Sequence, residues 1–175
     1  VFCLASGAFD LSVENIIAFS GVSAAMIINM TGSVFLGVVG GIIGGGIFGL
    51  LNGVIIAKAG INALITTLAM SQIIRGLAFI VSRGSAVGIM NENFFSLGNG
   101  QFLSIPNPIW ITIFCFVVFG ILLNKTTYGK NTLAMGGNVE AARLAGIAVD
   151  KVKITIFLLQ GLMAGFAGVV LASRM

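Results

Sequence analysis

The side chains of this 175-residue chain that could do chemistry are amides and hydroxyls more than acids and bases, for histidine is absent and the acidic residues number five. Catalysis by proton transfer or nucleophilic attack needs an acid and a base, or a nucleophile and its partner, within reach of one another. Asp10 and Glu14 fall outside the long apolar stretches, and no GxxxxGK[ST] phosphate loop occurs. Cys3 and Cys115 lie among apolar neighbours, so neither a disulfide nor a metal site is expected, and no cofactor. What remains is Asn62, Thr66, Thr67, Ser71 and Gln72, with Gln160 further on. At spacings of three to five, Asn62, Thr66, Thr67 and Ser71 share one helix face. They either exchange hydrogen bonds with a polar guest or bond their own backbone and neighbouring helices.

A second constellation lies in the polar run KTTYGKNTLAMGGNVEAARLAGIAVDK. Asn138 precedes Val139, Glu140, Ala141, Ala142, Arg143, Leu144 and Ala145, and Gly146 follows. That is the order of an N-cap, a short alanine-rich helix and a left-handed terminator. Glu140 in the first turn and Arg143 in the last each suit the helix dipole and stand three apart on one face. Leu133, Val139, Ala142 and Ile147 remain as an apolar contact surface. Such a helix either rests on an interface or receives a push from a soluble partner.

The elements that must hold these residues are set by composition. Hydrophobic residues make up 58% of the chain and charged ones 8%, with 25 glycines, two prolines and a net charge of +4. A soluble domain carries about 25% charged residues, so this chain cannot cover a water-facing surface. The fold class expected is an all-α, polytopic transmembrane helical bundle in a lipid bilayer. Residues 34–57 are 24 consecutive uncharged positions, enough to cross a hydrocarbon core of about 30 Å. Gly37, Gly41, Gly45, Gly49 and Gly53 recur along this span at every fourth position, a ridge without side chains against which another helix can pack. Residues 61–81 form a second span, interrupted by Arg75, which lies about 9 Å from its nearer end and can snorkel. Residues 109–123, flanked by Trp110 and Tyr128, and residues 154–173, with Gly161 and Gly165, give two more. Residues 16–28 are short for a crossing. They form either a broken or re-entrant helix lining a pathway or an ordinary span lengthened to Met30.

Orientation follows from the basic residues. The loop 124–153 carries Lys125, Lys130, Arg143, Lys151 and Lys153, whereas 84–108 contains no lysine or arginine, so the first is expected in the cytoplasm and the second outside. The outer stretch is either a connector or a rim that meets a delivering protein.

The stretch GGNVEAARLAGIAVDKVKI resembles the cytoplasmic coupling loop of permease subunits in bacterial ATP-binding-cassette importers for pentoses and other monosaccharides. The likeness extends through FDLSV at 9–13, INALITTLAM at 61–70, RGLAFIVSRGSAVGI at 75–89 and LLNKTTYGKNTLAMGGN at 122–138. Within the family it is greatest to members that carry L-arabinose, with ribose, xylose and galactose as alternatives. The resemblance implies a homodimeric pore in the bacterial inner membrane, cytoplasmic ATPase subunits that hydrolyse the ATP, and a periplasmic sugar-binding protein outside. It implies no nucleic-acid partner and no enzymatic activity in this subunit. Gly136, Gly137, Asn138, Glu140, Ala141, Ala142, Arg143, Gly146 and Ile147 would then carry the ATPase motion into the membrane. Asn62, Thr66, Thr67, Ser71 and Gln72 would line the sugar pathway. Glu14 departs from the small residue with which relatives commonly continue the DLSV motif.

The chain starts at Val1 without an initiator methionine, and no signal-peptide pattern appears before Asp10. Residues 1–175 are therefore expected to be one permease domain lacking its N-terminal helices and C-terminal part. The competing expectation is an ATP-independent carrier or channel for small polar solutes. Coupled carriers usually place ionisable groups deep in the membrane, and here only Arg75 is read as such a group.

Overall fold

The computed structural model describes residues 1–89 and 91–175, so Met90 in the stretch 84–108 lies outside the described residues. The chain is helical almost throughout: α1 (Phe2–Ala5), α2 (Val13–Thr31), α3 (Val34–Lys58), α4 (Ala63–Ser82), α5 (Glu92–Asn99), α6 (Asn107–Lys125), α7 (Thr127–Gly137), α8 (Val139–Leu144) and α9 (Val149–Ala172). A two-residue antiparallel hairpin, β1 (Gln101–Phe102) with β2 (Ile105–Pro106), precedes α6. Among the described residues five helices, α2, α3, α4, α6 and α9, are long and apolar enough to cross a membrane.

The short links set the directions. Gly32 ends α2 at φ 71°, and Ser33 caps α3 by accepting the amide of Leu36 at 3.3 Å, so α2 and α3 run antiparallel. Lys58 at the end of α3 pairs with Asp150 at the start of α9 at 3.4 Å, which makes α3 and α9 antiparallel as well. Their contact is the axis of the bundle. A Cβ added at Gly161 would lie 2.8 Å from the Gly49 Cα, and one at Gly45 would lie 2.7 Å from the Gly165 Cα. Real Cβ atoms do not come that close, so only glycine permits the two backbones to touch. Gly37 and Gly41 face Ile28 and Ser20 of α2, and Gly53 faces Ile154 of α9. The every-fourth-residue ridge of α3 is thus shared between α2 and α9. None of the residues of α6 is buried, and an apolar groove lined by Ile42, Trp110, Phe114 and Leu162 separates it from α3 and α9.

Two alternatives left open by the sequence are decided and one boundary is corrected. Residues 16–28 belong to one continuous helix, α2, and so to the lengthened span; the irregular backbone lies upstream, at residues 6–12 between α1 and α2. The run 125–153 is largely helical: Thr126 caps α7 by accepting the Gly129 amide at 3.1 Å, and α9 starts at Val149, five residues before the apolar stretch. The stretch 84–108 contains α5 and the hairpin, so it is more than a connector.

Six basic residues, Lys58, Lys125, Lys130, Arg143, Lys151 and Lys153, gather at the end of the bundle where α3 finishes and α9 begins, and Arg83 and Arg174 lie at the other. Arg75 is exposed on α4 with its guanidinium 5.9 Å from the Phe79 ring centre.

Candidate functional site

At the basic end, α8 has both ends closed by its own residues. The Asn138 side-chain oxygen accepts the Ala141 amide at 3.0 Å. At the other end Gly146 takes φ 83°, with its amide donated to the Arg143 carbonyl at 3.0 Å and the Ile147 amide to the Ala142 carbonyl at 3.1 Å. That pair of bonds is the Schellman stop, and it needs a residue free to take positive φ. Glu140 and Arg143 stand 3.9 Å apart, both largely exposed.

The apolar side of α8 is corrected by the structure. Ala142 is 4% exposed and joins Phe2, Cys3, Ile56, Met135, Val149, Val152, Ile156 and Phe157 in one core, against which Val139 and Ile147 also pack. These side chains fasten α8 to α1, α3, α7 and α9 and are not free for a partner. The outward surface consists of Glu140, Ala141, Arg143 and Leu144, with Leu144 90% exposed. Gly136 approaches α1 so closely that a Cβ there would run into the Ala5 carbonyl oxygen, whereas Gly137 has open space. Beneath α8, burial pushes the Tyr128 phenol and the Cys3 thiol up to about 12, and the Asp10 charge adds to the effect on Cys3.

The five polar residues proposed from the sequence divide. Thr66, Thr67 and Ser71 share a buried face of α4, whereas Asn62 and Gln72 are exposed. Asn62 caps α4, its side-chain oxygen accepting the Leu64 amide at 2.8 Å. Thr67 Oγ1 accepts the Leu11 amide at 3.1 Å, and Ser71 Oγ accepts from the Asn15 side chain at 2.6 Å. The hydroxyl face of α4 therefore supports residues 9–15, the irregular segment and the start of α2.

Sequence reasoning missed the polar group that this segment brings inward. Asp10 Oδ1 accepts the Ser12 amide at 2.8 Å and the Ser12 hydroxyl at 2.6 Å, while Oδ2 accepts from the Gln160 side chain at 3.0 Å. Asn52 of α3 donates to Ser12 Oγ at 2.8 Å. Asp10, set aside as outside the apolar spans, is corrected to a position within the bundle, because α2 begins at depth. Along α9, Gln160 is about 16 Å from Val149, and along α3, Asn52 is about 9 Å from Lys58. The available signal was Asn52, an amide inside an otherwise apolar, glycine-rich span. Among the described residues no group of three or more His, Cys, Asp or Glu side chains could hold a metal ion.

Apolar helices long enough to cross a bilayer, with a short outward-facing helix at their basic end, make this a polytopic membrane protein by its build. A profile of the family described as "Branched-chain amino acid transport system / permease component" matches residues 1–175. The chain belongs to that family and is a transport component, not an enzyme. It is 58% identical, over its whole length and 53% of the relative, to the L-arabinose transport system permease protein AraH of Escherichia coli (strain K12). It is 61% identical, again over its whole length and 52% of the relative, to the L-arabinose ABC transporter permease protein AraH of Azospirillum brasilense. Identity to the ribose import permease protein RbsC of Escherichia coli (strain K12) is 36%, over 98% of this chain and 54% of that one. The chain spans about half the length of these curated relatives. No solved structure matches. Its long apolar helices place it in a membrane.

Proposed function

We propose that this chain is part of the membrane-spanning permease of an ATP-binding-cassette importer for a monosaccharide, L-arabinose first and ribose, xylose or galactose otherwise. The observation that carries the reading is the build of α8. It is capped at both ends, rooted by Ala142 in the core shared by α1, α3, α7 and α9, and turned outward through Glu140, Ala141, Arg143 and Leu144. A short rigid helix fixed to the ends of two spans moves them when it is pushed. The identity to L-arabinose permeases over the whole chain supports the sugar.

In this reading the basic end faces the cytoplasm, and cytoplasmic ATPase subunits seat on the exposed face of α8. Gly136, Gly137, Asn138, Gly146 and Ile147 join that face to the core. A second permease copy completes the pore, and a periplasmic sugar-binding protein delivers from the side of α5 and the hairpin. The buried hydroxyls Thr66, Thr67 and Ser71 stiffen the pathway wall from behind, and the exposed Asn62 and Gln72 lie along it.

The test is made in the full-length permease. Exchanging the charges by Glu140→Arg with Arg143→Glu is expected to abolish uptake of radiolabelled L-arabinose and copurification of the ATPase. Normal uptake and normal copurification would overturn the assignment. Uptake confined to ribose, xylose or galactose would replace the sugar and keep the mechanism.

A further inference from the structure

We propose that the apolar groove between α6 and the α3–α9 pair is the seat of one membrane-spanning helix of the same permease, drawn from the part of the full-length chain outside residues 1–175. The inference rests on the transport reading above only in taking this chain as part of a longer permease.

Each of α2, α3, α4 and α9 buries residues against its neighbours, whereas α6 buries none. Its two ends are nevertheless held. At its start the Trp110 indole N–H donates to the Phe102 carbonyl at 3.1 Å. The adjoining α5 packs so closely on the end of α9 that a Cβ at Gly98 would strike the Ser173 side chain. Towards its finish the Phe119 ring stands edge-on to Phe2 at 6.2 Å, and a Cβ at Gly129 would run into the Leu123 carbonyl. α6 is therefore braced at a distance from α3 and α9, which leaves beside it a cleft of about 550 Å³. The cleft opens to the outside of the bundle, where Phe114 is 67% exposed.

Its walls have helical spacing. Ile111, Phe114 and Cys115 line it from α6, Leu162 and Phe166 from α9, and Ile42 from α3. Side chains three and four apart form the ridges and grooves into which another helix fits. The lining is apolar, and the Trp110 N–H is already spent on Phe102, so a polar or charged occupant would find no partners. A polypeptide entering such a space within a membrane has to be helical, because a helix satisfies its own backbone groups.

The length of the relatives says where that helix comes from. This chain covers 52% to 54% of them, so a full-length permease of that size carries about as much chain again. A further span needs about 20 residues. Membrane helices associate through van der Waals packing, and a helix in this cleft would gain two walls at once. Its inserted face is expected to be uncharged, with small residues opposite Phe114. An acyl chain would meet the same walls without ridges to interlock, and a second copy of the permease would meet them across a dimer contact.

The experiment uses the full-length permease with every cysteine except Cys115 replaced. Single cysteines are placed along each span outside residues 1–175, and disulfide formation with Cys115 is driven by copper phenanthroline in native membranes. Cross-links within one chain are expected from a single span, at positions three and four apart, and not from its opposite face. No cross-link within the chain from any span would overturn the proposal. A product of twice the chain's mass alone would make the cleft a contact between two copies, also overturning it. A second measurement compares Phe114→Trp with Phe116→Trp, each as the sole tryptophan, in bilayers of brominated phospholipid. Both phenylalanines are exposed in this chain, but Phe116 lies on the other face of α6. Weaker quenching at 114 than at 116 is expected, whereas equal quenching would make the cleft lipid-filled and overturn the proposal. Uptake is followed in the wild type: a permease that transports none of L-arabinose, ribose, xylose or galactose while the cross-links persist would overturn the transport reading and leave the seat assigned.

Discussion

Asn138 shows how one side chain can set the stiffness of a lever. Its oxygen holds the Ala141 amide, a cap whose loss costs about 1 kcal/mol. For a six-residue helix that is a large share of local stability, since helices this short do not persist unaided. Asn138→Ala is therefore expected to raise hydrogen exchange at Ala141 and Ala142 about fivefold, and Asn138→Asp is expected to restore protection. Cys3 offers a chemical check on the core beneath. With its thiol pushed from 9.0 up to about 12, the thiolate at pH 8 is about a thousandfold scarcer than for an unburied thiol. In a Cys115→Ser background, Cys3 is expected to resist maleimide at pH 8 and to react on denaturation. The sign follows from burial, which disfavours the charged form. Prompt labelling of the native protein would mean the core around Phe2 and Met135 opens.

At the scale of elements, α3 and α9 depend on backbone contact. Gly49 and Gly161 meet where a Cβ on either would strike the other helix, so Gly161→Ala must push the helices apart. Overpacking of this kind costs about 1–3 kcal/mol. A drop of several degrees in the unfolding midpoint of detergent-purified full-length protein is expected. Gly76 on α4 has open space around it, and Gly76→Ala is expected to leave the midpoint unchanged or raise it. The fourfold glycine spacing was legible in residues 37–53 because helical periodicity is local. Which helices would use it was not, since Gly161, Gly165 and Gly168 become partners only when the ends of the chain are brought together.

The whole molecule is polar in the sense of having two different ends. One gathers Lys58, Lys125, Lys130, Arg143, Lys151 and Lys153 around α7 and α8, and the other carries α5 and the hairpin with exposed Phe102 and Leu103. Leu144→Cys is expected to be labelled by an impermeant thiol reagent only from the cytoplasmic side, and Leu103→Cys only from outside. The reverse pattern would invert the account of α8. The positive-inside asymmetry and the likeness in GGNVEAARLAGIAVDKVKI made this arrangement readable from sequence, whereas α7 went unread because its apolar pattern is interrupted by three glycines.

By itself the sequence determined that this is a bundle of apolar helices, where α8 starts and stops, and which face of α3 is bare. Each depends on hydropathy or capping within a few residues, and such forces act on near neighbours. Only the tertiary structure decided that Ala142 turns into the core, that α2 is continuous, and that Asp10 sits inside the bundle against Gln160. Those three are set by contacts between residues as much as 150 positions apart, and no local pattern encodes them.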